Sequence, residues 1–142
     1  MRNIKKMLIV LISLAVIVSV SACNNSEIDS DISQLSESDI TKQFFSAFES
    51  SDYETMKLYC TESCIEEYFH DDNVFGMIWA KAINIGKDPV VSKNGKYNIL
   101  VDVEMETAET SALYPDTETS FYVVLEKLEN SSFLIDGFVT GY

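Results

Sequence analysis

The sequence predicts an α+β domain in which N-terminal helices pack on a curved antiparallel sheet of four to five strands. Two observations support this class. Between residues 38 and 70, apolar residues recur with the three- and four-residue spacing of amphipathic helices. After residue 76 they alternate with polar residues, as in strands that have one buried face. Helices followed by a run of strands indicate helices layered on one face of the sheet.

The first helix is expected to start at Ser36, because a serine followed three residues later by an acid, Asp39, is a typical helix start. Ile40, Phe44 and Phe48 then recur with helical spacing and form the expected buried face. Residues 50–52 break this pattern and end the helix.

Two shorter helices are expected next. Ser51 and Glu54 form a capping box for the second helix, which buries Met56 and Tyr59. Thr61 is expected to cap the third. The apolar side of this third helix consists of Ile65, Tyr68 and Phe69.

The first strand is expected to start near Met77. Its apolar face would contain Met77, Trp79, Ile83 and Ile85, interrupted only by Lys81. A turn at residues 86–89 then leads into the following strands.

The later strands are separated by clear turn signals. Strands at 90–93 and Tyr97–Thr107 flank the dipeptide Asn94-Gly95, a strong signal for a two-residue hairpin. A loop of about ten residues with Pro115 as its main breaker follows. The last two strands are expected at 119–128 and 133–142.

The charge of the chain argues against nucleic-acid binding. The 142 residues contain 10 basic and 23 acidic side chains, a formal charge of −13. Without residues 1–22, which contain Arg2, Lys5 and Lys6, seven basic residues remain against 23 acidic ones, a charge of −16. Such a field repels phosphate and anionic lipid head groups. The 120 residues after position 22 are enough for one domain of ordinary size.

Residues 1–22 are expected to be an export signal. A basic start is followed by the apolar stretch 7–20, whose helix would span about 21 Å, less than a bilayer core. The stretch ends in Val20-Ser21-Ala22-Cys23, which resembles the lipobox of bacterial lipoproteins. The resemblance implies cleavage after Ala22 and a diacylglycerol thioether on Cys23. The expected location is the extracytoplasmic face of the cell membrane, and two acyl chains give stable anchoring there. An ordinary signal peptide is the alternative.

Residues 23–37 are expected to be a flexible tether. This segment is rich in serine and acids, has no basic residue and contains few aliphatic ones. It should therefore bury nothing, and its charge should hold the domain of residues 38–142 away from an anionic membrane.

Residues 44–56 resemble the first helix, polar break and second helix of the NTF2-like (cystatin-like cone) superfamily. Residues 74–81 are similar to an uncharacterised group of Gram-positive lipoproteins. The resemblance covers residues 38–142 and implies a cone-shaped sheet under the helices. The superfamily includes dehydratases, isomerases and cyclases as well as non-catalytic binding domains, so the resemblance implies a fold and not an activity.

Cys60 and Cys64 are the first candidates for chemistry. An exported chain can form disulfides, and these two cysteines remain if Cys23 is lipidated. A continuous helix would hold positions i and i+4 too far apart, whereas a helix break at Thr61 would bring the sulfurs together. A disulfide and two buried thiols are both open at this point. The spacing differs from the redox C-x-x-C pattern.

Two charged residues lie in otherwise apolar strand patterns, Lys81 and Asp136. A desolvated Asp136 would have a raised pKa and would be the candidate general base of an enzyme. The alternatives are an acid facing water and a Lys81–Asp136 salt bridge. His70-Asp71-Asp72 is interpreted as a solvated helix end, so no metal site is expected, and no cofactor motif is present.

Aromatic residues are expected to fill most of the space under the helices, and any unfilled part would form an apolar pocket. The candidate lining residues are Phe44, Phe48, Tyr59, Trp79, Lys81, Tyr97 and Tyr142. The leading hypothesis is a membrane-anchored, non-catalytic lipoprotein that binds a small apolar ligand, a peptide or an envelope protein. The alternatives are a dehydratase- or isomerase-type enzyme with Asp136 as base, and an interaction or inhibitor module that uses a sheet edge or the 108–118 loop.

Overall fold

The computed structural model describes residue 32 and residues 34–113 and 119–141. In this part of the chain, helices precede an open antiparallel sheet, so the predicted α+β class is confirmed. The arrangement is consistent with an NTF2-like fold. The elements are α1 (Glu37–Glu49), α2 (Tyr53–Lys57), α3 (Glu62–Tyr68), β1 (Met77–Ile85), β2 (Val90–Val91), β3 (Tyr97–Thr107), β4 (Thr119–Lys127) and β5 (Phe133–Val139).

The strand order of the sheet is β1-β3-β4-β5, with the short β2 also paired to β3. Long β3 is the centre, since β1 pairs with its second half and β2 with its first. Leu100 and Glu104 are exposed, as the alternating pattern predicts. The fully buried residues on the inward side are Ile99, Val101 and Val103. At the other side of the sheet, Ile135 of β5 forms a parallel bridge with Cys60, so the chain before α3 lies along this edge.

The predicted apolar face of β1 is wrong. Register irregularities between Met77 and Trp79 and between Ala82 and Asn84 indicate bulges, and each changes which side chains face the core. Met77 and Ala80 are fully buried, whereas Ile83 is 53% exposed. Lys81 therefore does not interrupt a buried face: it lies on the exposed side.

The hairpin between β2 and β3 lies where it was predicted, but its loop has three residues instead of two. Ser92 and Lys96 still form a ladder bond, and the Gly95 N–H donates to the Ser92 carbonyl at 2.9 Å. Gly95 has a φ of 82°, the conformation that ends such three-residue loops. The strand predicted at 90–93 accordingly ends at Val91, and the last strand ends at Val139.

Helix α1 covers the sheet with one aromatic face. Phe44, Phe45 and Phe48 are buried, and the Phe44 ring lies 5.7 Å from Phe138 of β5. Phe45 lies 6.3 Å from Phe121 of β4. These side chains fill the space between helix and sheet, and within the described residues every fully buried side-chain nitrogen or oxygen has a hydrogen-bond partner.

The helix caps were predicted well at two of three positions. The Ser36 hydroxyl accepts from the Asp39 N–H, and the Thr61 hydroxyl accepts from the Cys64 N–H, as expected. The predicted cap at Ser51 is wrong. Asp52 caps α2 through the Thr55 N–H, while Ser51 has a φ of 53° and ends α1.

The domain starts earlier than the sequence suggested. Ile32 and Leu35 are half-buried and pack against the core. Ser36 caps α1, and the Ser38 hydroxyl donates to the Gly86 carbonyl at 3.1 Å. The expectation that residues 23–37 bury nothing is therefore wrong at Ile32 and Leu35.

Several expectations lie outside the described residues: the export signal, the lipobox with Cys23, Pro115 and Tyr142. Among the described helices, none combines the length and the hydropathy required to cross a bilayer.

Candidate functional site

A cleft with a volume of about 760 Å³ opens beside the C-terminal end of α3. This volume is in the range of small-molecule sites. Its lining comes from α3, the turn before β1, the loop after β3 and strand ends of the sheet. The lining residues are Glu67, Tyr68, His70, Asn73, Phe75, Gly76, Thr110, Ser111, Ala112, Leu113, Thr119, Ser120 and Thr140.

A strained turn places an aromatic ring in this cleft. Val74 and Met77 exchange two backbone hydrogen bonds of 2.8 and 2.9 Å, so Phe75 and Gly76 form a two-residue loop. Both have positive φ, 54° for Phe75 and 79° for Gly76, as in the tight hairpin turns of antiparallel strands. For a residue as large as phenylalanine this conformation costs on the order of 1–3 kcal/mol.

Aromatic packing and polar contacts hold the strained turn. The Phe75 ring stacks on Phe138 at 5.2 Å and lies 5.6 Å from both Tyr68 and Phe121. Its N–H donates to the Tyr68 carbonyl at 2.9 Å. Asn73, only 8% exposed, accepts from the Gly76 N–H through its side chain at 3.1 Å. The turn therefore presents Phe75 in a defined orientation.

The opposite wall approaches the turn so closely that Gly76 is required. A Cβ added at Gly76 would lie 2.5 Å from the Ser111 Oγ. The hydroxyl is itself fixed, because it accepts from the Leu113 N–H at 3.1 Å. The absence of a side chain at Gly76 thus sets the distance between the two walls.

The lining of the cleft includes titratable side chains. Burial and a hydrogen bond with the Glu67 carboxylate raise the pKa of Tyr68, so its hydroxyl remains protonated. The exposed His70 is also part of the lining. Among the described residues, the lining includes Glu67 but neither lysine nor arginine.

Hydrogen bonds hold the segment His70-Asp71-Asp72, whose first residue is part of the cleft lining. The His70 N–H donates to the Asn73 carbonyl at 2.8 Å, and the Asp72 carboxylate accepts from the Asn73 amide at 2.8 Å. The Tyr53 hydroxyl donates to the Asp72 carbonyl at 3.0 Å. Among the described residues, no group of three His, Cys, Asp or Glu side chains is placed to hold a metal ion.

The side chains expected to line a pocket under the helices do not line this cleft. Phe44 and Phe48 are fully buried core residues. Tyr59 is half-buried, and its carbonyl accepts from the Ile135 N–H at 2.8 Å. Tyr97 packs edge-on against Phe133 at 5.1 Å. The described lining of this cleft therefore includes none of these residues.

Trp79 and Lys81, the remaining described members of that set, both bind the end of α1. The Trp79 indole N–H donates to the Glu49 carbonyl at 2.5 Å. The Lys81 ammonium pairs with the Glu49 carboxylate at 2.9 Å, which raises the pKa of Lys81. These contacts attach α1 to β1 and take no part in the cleft.

The expected Lys81–Asp136 salt bridge is also wrong. Asp136 pairs instead with Lys96 at 3.0 Å and accepts from the hydroxyls of Thr61 and Ser63 at 3.0 and 3.2 Å. Burial opposes ionisation, but these bonds and the Lys96 charge outweigh it and hold the pKa of Asp136 below its usual value of 3.8. Asp136 lies outside the cleft lining, and this environment does not suit a general base near neutral pH.

Both cysteines are free thiols in the structure. Cys64 is fully buried and Cys60 is 6% exposed. The Cys60 thiol donates to the Met56 carbonyl at 3.5 Å. Of the two states left open by the sequence, the structure thus contains the reduced one.

Sequence patterns did not indicate the cleft residues Phe75 and Gly76, because periodicity describes regular helices and strands and not the turn between them. A signal was present: a glycine three residues after Asn73 and just before a strand is typical of a tight turn. No periodicity predicts that a phenylalanine occupies the strained position, since tertiary packing decides this.

Comparisons with known proteins gave no match to a family model, a curated protein or a solved structure.

Proposed function

We propose that this protein is a membrane-anchored, extracytoplasmic lipoprotein whose NTF2-like domain binds a small, mainly apolar ligand without catalysing a reaction. The observation that carries the binding role is the 760 Å³ cleft with the strained Phe75 turn in its lining. Backbone strain of this kind persists where the surrounding packing holds the backbone in place, and it is found most often at ligand sites.

The anchoring role is supported by the N-terminal sequence. A basic start, an apolar stretch and Val20-Ser21-Ala22-Cys23 occur together in the order that lipoprotein processing requires. Diacylation at Cys23 would hold the domain stably at the membrane surface, where one acyl chain would not.

The charge of the cleft restricts the ligand to neutral or cationic molecules. A carboxylate or phosphate would meet Glu67 and would find no lysine or arginine in the described lining. The formal charge of −13 adds a general repulsion of anions. The Phe75 and Tyr68 rings favour an apolar or aromatic body, and their faces also attract a cation.

Two matched probes test this selectivity: N-phenyl-1-naphthylamine, which is uncharged, and 1-anilinonaphthalene-8-sulfonate, a similar ring system with a negative charge. Residues 24–142, exported without the anchor, would be titrated with each probe and the fluorescence recorded. We expect the uncharged probe to bind at least about tenfold more tightly, a difference of about 1.4 kcal/mol. Glu67→Gln should narrow this difference. Equal affinities for the two probes would contradict the charge argument.

A matched pair of variants tests the location of the site. Phe75→Asn removes the ring while asparagine tolerates a positive φ, so binding of the uncharged probe should fall by about tenfold or more. Leu58→Asn removes an apolar side chain that is 48% exposed and outside the cleft lining, and should leave binding unchanged. If both variants bind like the wild type, the cleft is not the binding site.

Native mass spectrometry of the same protein tests for its natural ligand. Extra non-covalent mass that is lost on denaturation, and that is reduced in Phe75→Asn but not in Leu58→Asn, would support the proposal. An acidic ligand in that position would contradict the expected charge.

A further inference from the structure

Cys60 and Cys64 lie on either side of a break in the helical path. Thr61, the N-cap of α3, is extended with φ −72° and ψ 159°, and Cys60 precedes it in a bridge with Ile135. In one continuous helix, positions i and i+4 have Cβ atoms about 5–6 Å apart, farther than the roughly 3.5–4.5 Å of a disulfide. The break removes this obstacle.

The two sulfurs are neighbours in a dry environment. Cys64 is fully buried, Cys60 is 6% exposed, and the two side chains are near enough for Cys64 to raise the pKa of Cys60. The Cys60 thiol also donates to the Met56 carbonyl. Both side chains belong to one hydrophobic core cluster.

The backbone around the pair is held firmly. The Thr61 N–H donates to the Ile135 carbonyl, and the Ile135 N–H donates to the Tyr59 carbonyl, both at 2.8 Å. The Thr61 hydroxyl binds Asp136 at 3.0 Å. Cys60 is thus fixed along β5 and Cys64 in the first turn of α3, so folding holds the two thiols at high effective concentration.

We propose that Cys60 and Cys64 are a modification site at which a thiol–disulfide exchange forms an intramolecular disulfide that fastens α3 to the segment along β5. The oxidant is an external disulfide of a small thiol or an oxidoreductase. This inference is independent of the ligand-binding role.

The exchange takes place in two steps. The Cys60 thiolate attacks one sulfur of the external disulfide, forms a mixed disulfide and releases one thiolate. The Cys64 thiol then loses its proton, attacks the Cys60 sulfur and releases the second thiolate. The pair loses two protons and two electrons, and the external disulfide becomes two thiols.

The environment of the pair sets when this reaction takes place. The hydrogen bond with Cys64 and burial raise the pKa of Cys60, so the folded chain contains little of the reactive thiolate. The bond should therefore form while α3 docks, and burial should then protect it from external reductants.

The experiment compares folded and unfolded chains at the same ratio of reduced to oxidised glutathione. The full chain is refolded in a buffer of reduced and oxidised glutathione, starting from both the reduced and the oxidised protein until the two preparations agree. A second sample stays in guanidinium with the same glutathione. Free thiols are then trapped with N-ethylmaleimide under denaturing conditions.

The sequence provides a clean readout. Trypsin cleavage after Lys57 and Lys81 releases one peptide with Cys60 and Cys64 but without Cys23. A disulfide lowers the peptide mass by two hydrogens and excludes maleimide. Further cleavage after Glu62 leaves the two halves linked only when the disulfide is present.

We expect the ratio of disulfide to dithiol to be at least about tenfold higher in the refolded chain than in the unfolded one. A ratio that is equal or lower would overturn the proposal, as would accumulation of a glutathione adduct on Cys60. The double variant Ser63→Cys with Cys64→Ser is the control, because it moves the second thiol to an exposed position and should lose the difference between folded and unfolded chains.

Discussion

The Asp136 carboxylate lies 3.0 Å from the Lys96 ammonium, and its other oxygen accepts a hydrogen bond from the Thr61 hydroxyl at 3.0 Å. These contacts connect the residue before β3, the edge strand β5 and the cap of α3. Glu126 of β4 completes the group with its own ion pair to Lys96. The ion pair with Lys96 and the hydrogen bond with Thr61 explain why the charged Asp136 is present in an otherwise apolar strand pattern.

Asp136→Asn should weaken the fold mainly above about pH 4. The pKa of Asp136 is held below its usual value of 3.8, so the ionised group stabilises the fold above that value. This contribution is lost as the pH falls from about 4 through the lowered pKa. We expect a loss of about 1 kcal/mol at neutral pH and a smaller one near pH 2. Urea unfolding at the two pH values, monitored by the fluorescence of Trp79, measures both losses in free energy.

Lys81→Met is the control for this prediction. Lys81 and Glu49 form a pair in which both side chains are 49% exposed, so its removal should change the free energy of unfolding by less than about 0.5 kcal/mol. If Asp136→Asn lowered the free energy of unfolding equally at all pH values, packing and neutral hydrogen bonds, not the charge of Asp136, would account for its contribution.

Gly76→Ala should destabilise the domain more than Gly95→Ala. Both glycines have positive φ, 79° and 82°, so the backbone cost of about 1 kcal/mol is shared. Only Gly76 faces another group, the Ser111 Oγ at 2.5 Å, whereas nothing lies within 4 Å of the added Cβ at Gly95. The loss in free energy of unfolding should be about 1–3 kcal/mol larger for Gly76→Ala than for Gly95→Ala, as measured by chemical denaturation. Combining Gly76→Ala with Ser111→Gly should restore part of this lost stability. Equal losses in Gly76→Ala and Gly95→Ala would show that the contact with Ser111 costs nothing.

Truncations should place the start of the domain between residues 31 and 38. A chain that begins at residue 38 lacks the apolar contacts of Ile32 and Leu35 and the cap of Ser36, so its free energy of unfolding should fall by about 2 kcal/mol or more. A chain that begins at residue 31 should match residues 24–142. Equal midpoints for all three in thermal unfolding would show that Ile32 and Leu35 contribute nothing.

Cys23→Ala should release the protein from membranes or stop its processing. The lipobox interpretation makes this thiol the site of lipid attachment, and stable anchoring depends on its acyl chains. Fractionation of cells and the mass of the mature N-terminal peptide provide the measurement. Unchanged processing and membrane retention in the variant would contradict the anchor. Cys60→Ala serves as the matched cysteine control and should remain in the membrane fraction.

Local sequence signals predicted most of the fold. The caps Ser36 and Thr61, the bounds of β3 and the turn at Gly95 depend on neighbouring residues, so the sequence contains what determines them. The domain boundary was missed because Ile32 and Leu35 are isolated apolar residues in a polar segment. Only the folded core shows that they are covered.

The candidate site could not be predicted because it depends on irregular structure. The bulge between Met77 and Trp79 changes the side on which Lys81 lies, and a two-residue period cannot indicate where an extra residue is inserted. The cleft itself depends on the approach of Ser111 to Gly76, positions 35 residues apart in the chain. Contacts of this kind follow from the tertiary fold and leave no local pattern.

The two sides of the sheet differ in their resistance to self-association. The segment Tyr59–Cys60–Thr61 lies along β5 and occupies backbone groups there that another strand would pair with. On the opposite side, the bulges of β1 disturb its ladder, but short β2 presents Val90 and Val91, which are 60% and 57% exposed. Aggregation of concentrated protein should therefore begin at β2, and a lysine at either valine would be the simplest way to make the domain more soluble.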